Sequence, residues 1–172
     1  AYMRVLEAKA ADFRRIIRSA KILSARNAND QAKRLLGAIQ STLDEDSTDP
    51  DLQKDVLRLS ARIALAEGDG EREATILKQI VELDPLDGDA LLLLGRHAVR
   101  SSDDAQAVFY FDRAVAIDSS EADANLELGK LLASQGKYAE ALPKLRRAQQ
   151  IEPREPVQKF LEQIEKRAGR GG

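Results

Sequence analysis

The sequence predicts an all-α fold, a solenoid of helix–turn–helix repeats closed by a C-terminal capping helix. Three observations predict it. The chain is self-similar at an offset of 34 residues, which places Leu94 on Leu128, Gly95 on Gly129, Ala107 on Ala141, Phe111 on Leu145 and Ala114 on Ala148. Within each period the apolar residues recur at three-and-four spacing, the signature of amphipathic helices, and Asp-Pro or Glu-Pro punctuates the ends. The residues are 43% hydrophobic but only 4% aromatic, with no Trp, so burial must come from Leu, Ile, Val and Ala, which suit packed helices better than sheets.

An N-terminal extension, residues 1–12, leads into the array. Met3, Leu6, Ala10, Phe13, Ile17 and Ala20 alternate at spacings of three and four, predicting one long helix from Tyr2 to Arg26 with a coiled-coil-like seam. That seam either packs on its own array or joins a second copy. The first repeat, residues 13–46, is degenerate and carries Ile16, Ala20, Leu23, Ala32, Leu36 and Ile39 on its apolar positions. Seven extra residues precede the next repeat, and Asp44 to Asp51 (DEDSTDPD) reads as a solvated acidic loop, with residues 47–53 as the insert. The repeat at 54–87 is also degenerate, with Ser60-Ala61 in place of its successors' Leu-Gly and Glu73 where they have Ala, but it keeps Leu77 and Asp84-Pro85. The repeat at 88–121 lacks Gly in its turn, Ser101 to Asp104, and has Ser119 in the proline position. The repeat at 122–155 is the most regular, with Leu128-Gly129, Gly136, Tyr138, Ala141, Leu145, Ala148 and Pro153. Pro156 then opens a capping helix, residues 156–168, with Val157, Phe160, Leu161 and Ile164 on one face, and residues 169–172 follow as a flexible tail.

These residues resemble the tetratricopeptide repeat (TPR) family, whose pattern is a Leu-Gly pair, an aromatic, then Ala, Phe and Pro at fixed offsets. The resemblance covers residues 13 to 155 and implies a right-handed TPR-type α-solenoid in which the first helices of successive repeats line a concave groove. It also implies that Ala61, Gly95, Gly129, Ala107 and Ala141 sit where helices approach most closely. The family's groove positions, carried onto this chain, fall on Lys21, Arg58, Arg62, Leu92, Arg96, Arg100, Leu126 and Lys130 as candidate peptide-binding residues. A cation recurs once per repeat as Lys21, Arg62, Arg96 and Lys130. Arg58 with Arg62, and Arg96 with Arg100, are like charges at i and i+4, an arrangement that weakens a helix unless an anion relieves it. Either a ligand supplies that anion, or Asp55, Asp89 and Asp123 do, or the cations are simply solvated. The clamp by which some members hold a chaperone's C-terminal carboxylate is not reproduced, since Arg62, Leu93, Asp123 and Glu127 stand at its positions.

The residues present narrow the function further. With no Cys and a single histidine, His97, the chain lacks thiolate catalysis and a Cys/His zinc site, and no metal or cofactor is expected. Gly68-Asp69-Gly70 has no following Lys-Ser/Thr and reads as a turn, not a phosphate loop. The net charge of −2 conceals segregation: residues 1–34 hold nine Lys/Arg against three Asp/Glu, residues 35–143 ten against twenty-two, and residues 144–172 eight against four. A groove without stacking aromatics on a chain so patterned does not suit nucleic acid, and no apolar run is long enough to span a bilayer. The expectation is a soluble, non-enzymatic interaction scaffold, cytoplasmic or periplasmic, that binds an acidic and hydrophobic peptide or partner segment. The alternatives are an assembly component that self-associates through its N-terminal helix, or a regulatory segment of a larger protein.

Overall fold

A computed structural model describes residues 2–46 and 50–169, with side chains described over residues 12–39 and 51–169. Among the described residues there are nine helices and no strand. They fall into two compact units, Ala1–Pro85 and Leu86–Gly172. The first contains α1 (Tyr2–Ala25), α2 (Asn29–Asp46), α3 (Pro50–Ala66) and α4 (Gly70–Leu83). The second contains α5 (Gly88–Arg100), α6 (Asp104–Val115), α7 (Glu121–Ser134), α8 (Tyr138–Ile151) and α9 (Glu155–Ala168).

Four turns join helices into pairs, α1 to α2, α3 to α4, α5 to α6 and α7 to α8, and all four are built alike. Asn27, Gly68, Ser102 and Gly136 each take a positive φ, between 59° and 76°. The amide that follows each of them, on Ala28, Asp69, Asp103 and Lys137, donates to the carbonyl five residues back at 2.9 Å. The left-handed residues themselves donate to the carbonyl three back. This is the Schellman closure, which satisfies the orphan carbonyls of a helix end and needs a residue tolerant of left-handed backbone. Glycine supplies that twice and Asn once; Ser102 accepts it without glycine's freedom. Asp69 and Asp103 then turn directly to capping, each accepting from the amide three residues on, Arg72 and Gln106, at 3.1 and 3.0 Å. Gly68-Asp69-Gly70 is thus a helix stop followed by a helix start.

Proline ends two of the helix pairs. Asp84 and Glu152 are extended, as residues before Pro85 and Pro153 must be, and each closes its helix by donating to a carbonyl four residues back. The pair α5–α6 has no such proline. There Ser120, buried, donates its hydroxyl to the carbonyl of Ala114 at 2.8 Å and so closes the end of α6.

In the first unit α3 packs on α1 and α2, and Ile17, Ala20, Ala32, Leu36 and Ile39 share one core with Leu52, Val56, Leu59 and Ile63. In the second unit α7 packs on α5, α6 and α8, and α9 closes the end by laying Val157, Leu161 and Ile164 against Leu126, Ala133, Ala141, Leu145 and Ala148. Where helices cross, a small residue faces a large one sixteen positions on. A Cβ on Gly95 would lie 2.3 Å from the Phe111 ring, and one on Gly129 would lie 2.5 Å from Leu145 Cδ2. Ala20 and Leu36, at the same sixteen-residue spacing, are both buried in the core of the first unit.

Three expectations need correction or fall outside the described residues. The acidic segment is not one open loop: α2 continues through Asp46 and α3 begins at Pro50, whose fixed φ and missing N–H suit a first helical position, with Asp51 in the first turn. Residues 47–49 and the tail residues 170–172 lie outside the description, as do the side chains of Met3, Leu6 and Ala10. The described part of the N-terminal seam, Phe13, Ile17 and Ala20, packs into the core of its own unit.

Candidate interaction face

The candidate cations come from the first helix of each pair, and each unit presents them differently. In the first unit Lys21 on α1 reaches Asp55 on α3 at 3.3 Å, so the faces of these two helices adjoin. The same two helices also carry large aliphatic side chains in water. Ile22 is 49% exposed and Leu65 44% exposed, and Arg18 and Arg62 stand in the open on the same helices. No described residue pairs with Arg62. Arg58, one turn before it, is also exposed, although it has an interaction of its own.

In the second unit the cations are already occupied. Arg96 on α5 donates through Nε at 3.1 Å and Nη2 at 2.9 Å to Glu127 on α7, and Lys130 lies 3.4 Å from the same oxygen. Of the Arg96 and Arg100 charges at i and i+4, Arg96 receives its anion from the next helix pair. Val99 and Arg100 are exposed at the end of α5. Leu92 and Leu126, expected as apolar groove contacts, are buried and unavailable to a ligand. Leu126 packs in the cluster that α9 completes. The run Ala90 to Leu94 is apolar around most of the helix, which marks a helix covered on more than one side.

The acids expected near the groove have particular partners. Asp55 holds Lys21, while Asp123 holds Arg154 at 2.6 Å rather than a groove cation. Arg154 also bonds Glu152, and those two carboxylates raise its pKa further above the arginine range, while Arg154 holds the Glu152 carboxyl below its ordinary value. Such ties recur at close to the repeat period: Lys21–Asp55 and Lys33–Glu67 in the first unit, Arg96–Glu127 and Asp123–Arg154 in the second. Sequence reading offered Asp55 as a partner for the cations but compared equivalent positions, whereas Lys33–Glu67 and Arg96–Glu127 join different positions of neighbouring repeats and Asp123–Arg154 closes within the last one. Glu127 is the residue it most clearly overlooked.

His97 is half-buried on α5, with its ring nitrogen 3.5 Å from the Ser101 hydroxyl. Among the described residues no group of three His, Asp or Glu side chains is gathered as a metal would require, and no helix is long and apolar enough to cross a membrane.

Helix pairs closed by one repeated turn, with a small residue set against a large one where α5 crosses α6 and α7 crosses α8, define an α-helical repeat protein. The family model for the tetratricopeptide repeat matches residues 58–122 and 92–156, more than half of the chain, and the protein belongs to that family. No curated protein matches the chain significantly. Among solved structures, MamA is similar with a TM-score of 0.71 at 20% identity, over 91% of this chain and 82% of that one. YrrB, described as a TPR protein with an unusual peptide-binding site, gives 0.63 at 20% identity over 89% and 75%. A Thermobaculum terrenum O-GlcNAc transferase mutant gives 0.60 at 23% identity, over 69% of this chain and only 23% of its own. At these identities the likeness is one of fold. Membership in the family supports a protein-interaction scaffold in general.

Proposed function

We propose that the chain is a non-enzymatic scaffold that takes an acidic segment with apolar anchors on the α1/α3 face of its first unit. The observation that carries this reading is that two large aliphatic side chains are left half in water, Ile22 on α1 one turn from the exposed Arg18 and Leu65 on α3 one turn from the exposed Arg62. Apolar side chains in water are unfavourable by about 25 cal/mol per Å², so a partner that covers them gains affinity. The flanking guanidinium groups select for carboxylates and speed encounter. Among the described residues this face shows no exposed stacking aromatic, which argues for a peptide over a nucleic acid.

The test is binding of a fluorescein-labelled synthetic peptide of repeating Glu-Glu-Leu, followed by anisotropy at several salt concentrations. Arg62→Glu should weaken binding at least about tenfold at low salt and flatten its salt dependence, and Leu65→Ala should weaken it at all salt concentrations. The helical melt should stay in place, since both side chains are exposed. Binding unaltered by either substitution removes the α1/α3 face from the reading.

A further inference from the structure

The two units offer an acidic segment unequal surfaces, and one residue accounts for the difference. In the first unit Asp55 holds Lys21 through a single contact of 3.3 Å, with both side chains about half open to water. In the second unit Glu127, only 17% exposed, accepts three donors from two cations: Nε and Nη2 of Arg96 across the helix pair and Nζ of Lys130 one turn along. Bonds between a guanidinium and a carboxylate are among the stronger hydrogen bonds, and this one fixes Arg96 by two of its nitrogens. An arriving carboxylate would need those same donors. It would compete with one that is tethered beside them, present at an effective concentration of about millimolar or more.

We propose that Glu127 is a specificity-determining residue: an internal stand-in for a ligand carboxylate that keeps acidic segments off the α5/α7 face and confines them to the first unit. The proposal rests on the reading that these first-helix faces receive acidic segments. Repeat position alone does not create an anion site, since Arg62 and Arg96 occupy the same position in their repeats. What differs is whether a neighbouring helix presents a carboxylate to the cation. Replacing that carboxylate by an amide keeps an oxygen for Arg96 to bond but restores a net positive charge at the cluster.

The experiment measures the same Glu-Glu-Leu peptide against Glu127→Gln in an Arg62→Glu background, where the first unit's contribution is suppressed. Compared with Arg62→Glu alone, Glu127→Gln should raise affinity about tenfold or more at low salt, and the gain should fall as salt rises. Adding Arg96→Gln should abolish the gain. The melt of each variant confirms folding, and Glu127→Asp, which keeps the charge, should show no gain. A folded Glu127→Gln protein without tighter binding, or a gain that survives Arg96→Gln, overturns the proposal. Whether wild-type binding depends on Arg62 is read from the single variant, so a failure of the first-unit face and a failure of this inference give different patterns.

Discussion

The closest helix contacts predict that one substitution, Gly to Ala inside a helix, has opposite signs at two places in this chain. Gly95 lies on α5 against α6, and a Cβ there would stand 2.3, 2.5 and 2.8 Å from three carbons of the Phe111 ring. Ordinary contact begins near 3.4 Å, so the deficit is about 1 Å against a flat ring that is fully buried and cannot swing away. Alanine favours helix over glycine by about 1 kcal/mol, whereas overpacking of this kind costs about 1 to 3 kcal/mol. The clash should outweigh the gain in helix propensity, leaving Gly95→Ala destabilised by about 1 to 2 kcal/mol, which for a unit of this size lowers the melting temperature by about 4 to 8 °C per kcal/mol. Gly37, within α2, has nothing within 4 Å of its Cβ position, so Gly37→Ala should stabilise by about 1 kcal/mol. Pairing Gly95→Ala with Phe111→Leu should recover much of the loss, because Leu removes the ring carbons that the added Cβ would meet. The assay is urea and thermal denaturation followed by circular dichroism. If Gly95→Ala proves as stable as the parent, or the Leu partner fails to rescue it, helix spacing is not set by these contacts.

The remaining predictions concern the turns, the caps and the charges. Ser102 holds a left-handed φ of 59° that a Cβ disfavours, so Ser102→Gly should stabilise by about 0.5 to 1 kcal/mol in denaturant titration, while Gly136→Ala at the equivalent turn should destabilise by about 1 kcal/mol. Lys137 caps α8 without a side-chain bond, whereas Asp69 and Asp103 bond at the equivalent place; Lys137→Asp should therefore raise stability by about 1 kcal/mol, read from the urea midpoint. Lys33 and Lys54 have pKa values raised above 10.5, chiefly by hydrogen bonds from their ammonium groups to Glu67 and Asp84. A raised lysine value means stability present below the ordinary value and lost as pH climbs through the raised one. Lys33→Met with Lys54→Met should thus flatten the alkaline limb of a stability profile above pH 10.5, and an unchanged limb would show that these pairs do not couple to folding.

Much of this fold was legible because a helical repeat writes itself locally. Spacing of apolar residues set each helix, and the small residues at 95 and 129 announced the tight crossings, since only Gly fits where an opposing side chain stands within 3 Å. Prolines 85 and 153 marked helix ends because the residue before a proline is driven to extended backbone. The acidic stretch was harder, because Asp and Glu are as much at home at helix ends as in loops, and Pro50 starts a helix as readily as it interrupts one. The candidate face was legible only in part. Position within the repeat pointed to Lys21, Arg62, Arg96 and Lys130 but not to Glu127, which holds two of them.

The amino-acid order by itself determined the helix pairs, their turns and the residues that could reach the first-helix faces, because those depend on neighbours a few residues apart. Only the tertiary structure decided which of those residues a ligand could still use. Leu92 and Leu126 went into the interior, Arg96 and Lys130 went to Glu127, and Ile22 and Leu65 stayed in water. The physical reason is that burial and charge pairing depend on what the next helix presents at that height. Two side chains about thirty residues apart meet there according to the lengths, tilt and composition of both helices, which no single repeat contains.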